Sequence, residues 1–85
     1  MNVKLSNGFE CEVEENMFDN MELVDAIAEA DEDATAVSAL VKMIFGNRKK
    51  ALYDSLREDG RVSVTAIVGA IKEVFEAVGE QGKNS

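Results

Sequence analysis

Apolar and polar residues alternate along Val3-Lys4-Leu5-Ser6 and again along Phe9-Glu10-Cys11-Glu12-Val13. That period of two is the pattern of a sheet with one face in water and the other covered. Asn7-Gly8 lies between the runs and suits a type I′ turn, so residues 2–14 read as a β-hairpin with Asn7 and Gly8 at its tip. The alternation predicts Val3, Leu5, Phe9, Cys11 and Val13 buried, with Lys4, Glu10 and Glu12 wet. An isolated hairpin is barely stable in water, so its apolar face requires a cover from the rest of the chain or from another subunit.

From Asp19 onward the spacing changes to that of helices. Met21, Val24, Ile27 and Ala28 recur at three and four residues, with Leu23 widening the stripe and Glu22, Asp25 and Glu29 opposite. Asp19 or Asn20 fits the N-cap of this helix. Asp31-Glu32-Asp33 closes it and caps the next, whose stripe is Val37, Leu40, Val41, Ile44 and Phe45, with Gly46 as the C′ residue. Asn47 caps a third helix reaching about Glu58, with Leu52, Tyr53 and Leu56 as contacts, and Asp59-Gly60 stops it. Ser63 or Thr65 opens the longest helix, marked by Val64, Ile67, Val68, Ile71, Val74, Phe75 and Val78. Gly79 and Gly82 mark its end, ahead of a polar, fraying tail at 81–85. The reading is α+β: a two-stranded hairpin at 2–14 and about four short amphipathic helices over 17–79, in one small domain at 1–80.

With 85 residues, a core near the lower limit for independent folding is expected. No apolar run is long enough to span a membrane, and Met1 to Ser6 contains no apolar stretch of the kind a secretory signal needs. The single cysteine, Cys11, fits a reducing cytoplasm. Net charge is −8, unevenly spread: residues 1–33 hold eleven acids against Lys4 alone, and residues 34–85 hold six acids against eight bases. The acidic half disfavours nucleic acid and anionic membrane as partners. It keeps the protein soluble, and it could also meet the basic segment of a second copy.

Candidate chemistry is sparse. Histidine is absent, which removes the commonest general base and transition-metal ligand. Cys11 has no activating partner and lies on the apolar side of its strand. Ser6, Ser38, Ser55 and Ser63 fit caps and turns. Placing Gly60 at the sixth position of a calcium loop puts Ser55 first, Arg57 third, Asp59 fifth and Ala66 twelfth, so the terminal acid is missing. Asp31-Glu32-Asp33 lacks a loop glycine and reads as a capping run. No catalytic, cofactor or metal residue is therefore expected, nor an enzyme. Arg48-Lys49-Lys50 stands at a helix start, the unfavourable end for positive charge; a solvated face is the default reading, and an acidic protein surface is the better candidate for a partner.

The opening Val3-Lys4-Leu5-Ser6-Asn7-Gly8-Phe9-Glu10, the helix Asp19 to Glu29, and the ending Gly60-Arg61-Val62-Ser63-Val64 with Glu73-Val74-Phe75-Glu76-Ala77 resemble small tail assembly chaperones of siphophages and prophages of Gram-positive bacteria. Residues 34–50 show nothing distinctive of them. The resemblance implies a non-enzymatic protein in the cytoplasm of the bacterial host. It would bind the tape-measure protein, keep it soluble while tail-tube protein assembles, and be absent from the mature virion. It also implies a longer frameshifted product, for which Gly82-Lys83-Asn84 can be encoded by a slippery heptamer. Met17, Met21, Met43 and Phe45 could supply adaptable contacts to a helical client, and Arg48, Lys49 and Lys50 charged ones. Core filling is the commoner role for such stripe positions. Self-association is expected from the short chain, its exposed sheet edge and its charge asymmetry. The alternative function is a small acidic regulator or inhibitor that masks a basic nucleic-acid-binding surface.

Overall fold

The computed structural model describes residues 1–83. Strands β1 (Asn2–Lys4) and β2 (Glu10–Glu12) pair antiparallel, with Asn2 opposite Glu12, Val3 opposite Cys11 and Lys4 opposite Glu10. One further rung joins Met1 and Val13: the amino group of Met1 donates to the Val13 carbonyl at 2.7 Å, and the Val13 N–H returns to the Met1 carbonyl at 2.9 Å. Val3, Leu5, Cys11 and Val13 are buried, whereas Lys4, Glu10 and Glu12 face water, as the alternation predicts. Phe9 is half-buried and meets Phe45 edge-on, with ring centroids 6.5 Å apart.

The turn is not the expected type I′. The Leu5 N–H donates to the Phe9 carbonyl at 2.8 Å and the Gly8 N–H to the Leu5 carbonyl at 2.9 Å, closing a three-residue loop, Ser6-Asn7-Gly8. Only Gly8 in this loop has positive φ, at 95°. A two-residue Asn7-Gly8 loop would have set Leu5 opposite Glu10 and Val3 opposite Glu12, apolar against polar. Burying the odd-numbered residues of both arms selects the longer loop, because a slip of one residue reverses a strand's faces. Asn7 tightens it by accepting the Phe9 N–H on Oδ1 at 3.0 Å.

A two-residue turn with positive φ at both centres occurs instead at Asp59 (54°) and Gly60 (82°). It joins β3 (Arg57–Glu58) to β4 (Arg61–Val62), pairing Arg57 with Val62 and Glu58 with Arg61. This ribbon replaces the end of the expected third helix. Asp-Gly is a strong hairpin signal, but strands of two residues carry no visible alternation.

Helix α1 (Met21–Glu32) starts at Asn20, whose Oδ1 accepts the Glu22 N–H at 3.0 Å. A 3-10 turn (Ala34–Ala36) leads into α2 (Val37–Phe45), and another (Gly46–Arg48) into α3 (Lys49–Leu56). Residues 34–56 thus form one unbroken helical run, so the helical residues fall in three stretches rather than about four separate helices. Asp33 serves both sides of the first junction, as expected. Its N–H donates to the Glu29 carbonyl at 2.8 Å, and its Oδ1 accepts the N–H and hydroxyl of Thr35 at 3.0 and 2.7 Å. Helix α4 (Val64–Lys83) continues past Gly79 through much of the expected polar tail; Asn84 and Ser85 lie outside the described residues.

Val37, Leu40, Val41, Ile44 and Phe45 of α2 are all buried and form the centre of the core with Leu52 of α3, Ile67, Ala70, Ile71, Val74 and Val78 of α4, and the inner hairpin face. Helix α1 departs from its expected stripe. Leu23 is its buried residue, with Ala26, Ile27 and Ala30 half-buried beside it, while Met21 (68 % exposed), Val24 (40 %) and Ala28 face solvent. At 3.6 residues per turn both sets are contiguous on the helix, and the core took the set containing the two alanines.

Candidate functional site

The residues expected to bind a partner fall in three places. Met17 and Phe45 are core residues, 7 % and 4 % exposed, so neither offers a free contact surface. With Met43, which is 42 % exposed, they line a cleft of about 500 Å³ between the exit of the hairpin, the start of α1 and the end of α2. Glu12, Glu14 and Asn20 add polar atoms to its walls. Met21 lies apart from this cleft, on the outer side of α1.

Arg48, Lys49 and Lys50 form the third place, and each is engaged within the chain. Arg48 donates to the Glu10 carbonyl at 3.2 Å, and its guanidinium lies 4.9 Å from the Phe9 ring centroid. Because Glu10 is opposite Lys4 in a pair that exchanges no ladder bonds, its carbonyl points away from β1, and Arg48 covers part of that sheet edge. Lys49 donates to the Ser38 hydroxyl at 2.8 Å and sits 5.6 Å from the Tyr53 ring. Lys50 pairs with Asp54 at 3.1 Å, and Arg57 reaches the other oxygen of Asp54 at the same distance. Hydrogen bonds from these two cations hold the Asp54 carboxyl below its usual range. Internal contacts therefore account for a basic run that looked like a docking patch.

The loop of the first hairpin is latched to the helices. Glu73 of α4 accepts the Ser6 N–H at 2.8 Å and the Ser6 hydroxyl at 3.1 Å, and Asn7 donates to the Ser55 hydroxyl at 3.3 Å. Cys11 is 4 % exposed, and burial pushes its thiol up against the opposing pull of Arg48. A buried thiol held protonated is a weak nucleophile. Among the described residues, no group of three or more Cys, Asp or Glu side chains is arranged to hold a metal ion.

Compared with known proteins, the chain matches no family model, no curated protein and no solved structure. No helix among the described residues is long and apolar enough to cross a membrane.

A further surface escaped the sequence reading. Helices α1 and α4 leave a groove of about 410 Å³, walled by Ile27 and Ala28 on one side and Val68 and Phe75 on the other, with Leu40 and Ile71 beneath. Phe18, 43 % exposed, meets Phe75 edge-on at 5.2 Å at one end. Val24 and Met21, both exposed, follow on the same face of α1 toward its start. Helical spacing places Asp25, Glu29 and Glu32 on the next arc of α1, beyond Met21 and Ala28. All three are exposed, and no ion pair involves them among the described residues. The signal lies in Met21, Val24 and Ala28, whose spacing reads as a core stripe, with Met21 also expected to contact a client.

Proposed function

We propose that this chain is a non-enzymatic tail assembly chaperone of a siphophage or prophage, acting in the bacterial cytoplasm on the tape-measure protein. The observation that carries the reading is the exposed apolar flank of α1, where Met21, Val24 and Ala28 stay in water beside acids that form no ion pair among the described residues. Exposed apolar residues grouped beside a groove mark sites of protein contact more often than isolated ones do. A tape-measure protein is long and helical, and amphipathic helices dock into such grooves through positions three, four and seven apart. The chain's charge supports solubility of the complex until tail-tube protein displaces the chaperone. A role as an acidic inhibitor uses the same charge but leaves the apolar flank without a task.

The test is co-expression of the tape-measure protein of the same phage or prophage with and without this chain. The tape-measure protein should be soluble and co-purify only when the chain is present. A tape-measure protein that stays insoluble beside abundant soluble chain would overturn the reading.

A further inference from the structure

The groove between α1 and α4 has an apolar floor and two walls of unlike charge. On the α1 side, Ile27, Ala28 and Asp31 line the groove, Val24 lies exposed on the same arc one turn earlier, and Asp25, Glu29 and Glu32 follow outward. On the α4 side, Lys72 stands near Val68 and Phe75, with Glu76 further along the helix. Helix α1 as a whole carries Glu22, Asp25, Glu29, Asp31 and Glu32 and no base.

We infer that this groove docks a basic amphipathic helix, one with apolar residues at a three-and-four spacing and lysine or arginine along the flank that meets α1. The reasons are shape and charge together. A groove between two helices accepts a third helix as a ridge, and the apolar floor of Leu40 and Ile71 supplies burial once solvent leaves. The acids of α1 have no cation of their own among the described residues, so an incoming basic flank finds them available. A second copy of the chain fits poorly. A two-fold interface through this face sets α1 either against α1, where like charges repel, or against α4, where Lys72 and Glu76 together offer no net positive charge. Nucleic acid is repelled by the same ridge. The inference rests on the chaperone reading only for which protein carries the helix; the groove and its charge stand apart from it.

Two synthetic peptides of about five helical turns test this, with the same leucine stripe and polar faces made wholly of lysine or wholly of glutamate. Each is titrated into the full chain at low salt, with affinity read by fluorescence anisotropy and helix content by circular dichroism. The lysine peptide is expected to bind one per chain and become helical, the glutamate peptide to remain unbound, and added salt to weaken the complex. Val24→Glu separates groove binding from simple attraction, because it adds an acid while removing apolar contact. Affinity of the lysine peptide should fall about tenfold in Val24→Glu, the scale of one lost apolar anchor. Ala28→Glu, at another exposed position, provides the same test should Val24→Glu melt early.

Unchanged or tighter binding in both variants would overturn the inference, as would equal binding of the glutamate peptide. Light scattering that shows a dimer split by Val24→Glu would also overturn it, making a second copy the occupant. If Val24→Glu still keeps the tape-measure protein soluble, the groove assignment falls while the chaperone reading stands. If the lysine peptide binds as expected but the tape-measure protein is never solubilised, the reverse holds.

Discussion

Helices α1 and α2 are neighbours in sequence, both amphipathic, and they use their apolar residues in opposite ways. All five stripe residues of α2 are buried, from Val37 at 8 % exposed to Val41 at 0 %. Helix α1 buries Leu23 and leaves Met21 and Val24 in water, beside a row of acids with no ion-pair partner among the described residues. Burial of the hairpin and of α4 depends on α2, because its side chains lie in the same core cluster as Val3, Leu5, Cys11 and Val74. Helix α1 covers one flank of that cluster with Leu23, Ala26, Ile27 and Ala30, and keeps Met21 and Val24 outside. One helix supports the fold, and the other carries a surface that the fold does not need.

The largest expected difference is in stability. Leu40→Ala in α2 should cost about 2–5 kcal/mol, since it removes a buried side chain and leaves a cavity. Val24→Ala in α1 should change stability by no more than about 0.5 kcal/mol, as for exposed positions generally. Urea unfolding of the two variants checks both, and equal losses would erase the distinction between the helices.

A smaller effect is expected at the junction between them. Thr35 bonds hold the Asp33 carboxyl below its ordinary 3.8. A carboxyl lowered by folding stabilises the folded state above its unfolded pKa, and that contribution disappears as pH falls through the folded value. Asp33→Ala should therefore lower Tm at neutral pH, with the gap from wild type narrowing below about pH 4, near the ordinary range of an aspartate. A gap that does not change with pH would show that the cap acts through something other than its charge.

The smallest structural effect should come from Met21→Glu, which removes the most exposed of the large apolar side chains. Its Tm should stay close to wild type, and binding of a hydrophobic dye to the native protein should decrease. A Tm drop as large as that of Leu40→Ala would mean that Met21 packs against the fold after all.

These contrasts also show which parts of the molecule could be read in advance. The inner face of the hairpin and the stripe of α2 were legible, because each has a single apolar set with a single period. The loop length of the hairpin was legible in principle: Val3 and Leu5 match Phe9, Cys11 and Val13 only across an odd number of loop residues. Helix α1 was not legible in this way, because its apolar residues occupy two adjacent arcs and spacing alone does not say which arc meets the core. Contacts of the basic run were hidden for another reason. Arg48 meets Glu10, thirty-eight residues earlier, and Lys49 meets Ser38, pairings that only the tertiary fold creates. Of the residues expected to meet a partner, Met21 and Met43 are exposed, whereas Met17 and Phe45 are buried in the core.

The claim that α1 holds a binding surface is tested most directly by mapping where a basic helix lands. Backbone amide NMR spectra of the full chain, recorded while the lysine-faced peptide is titrated, report this residue by residue. The account predicts that the largest shifts cluster at Met21, Val24, Ala28, Val68 and Phe75, with Arg48 to Lys50 and the cleft around Met43 nearly unmoved. Shifts centred on that cleft, or spread evenly over the acidic residues, would contradict it.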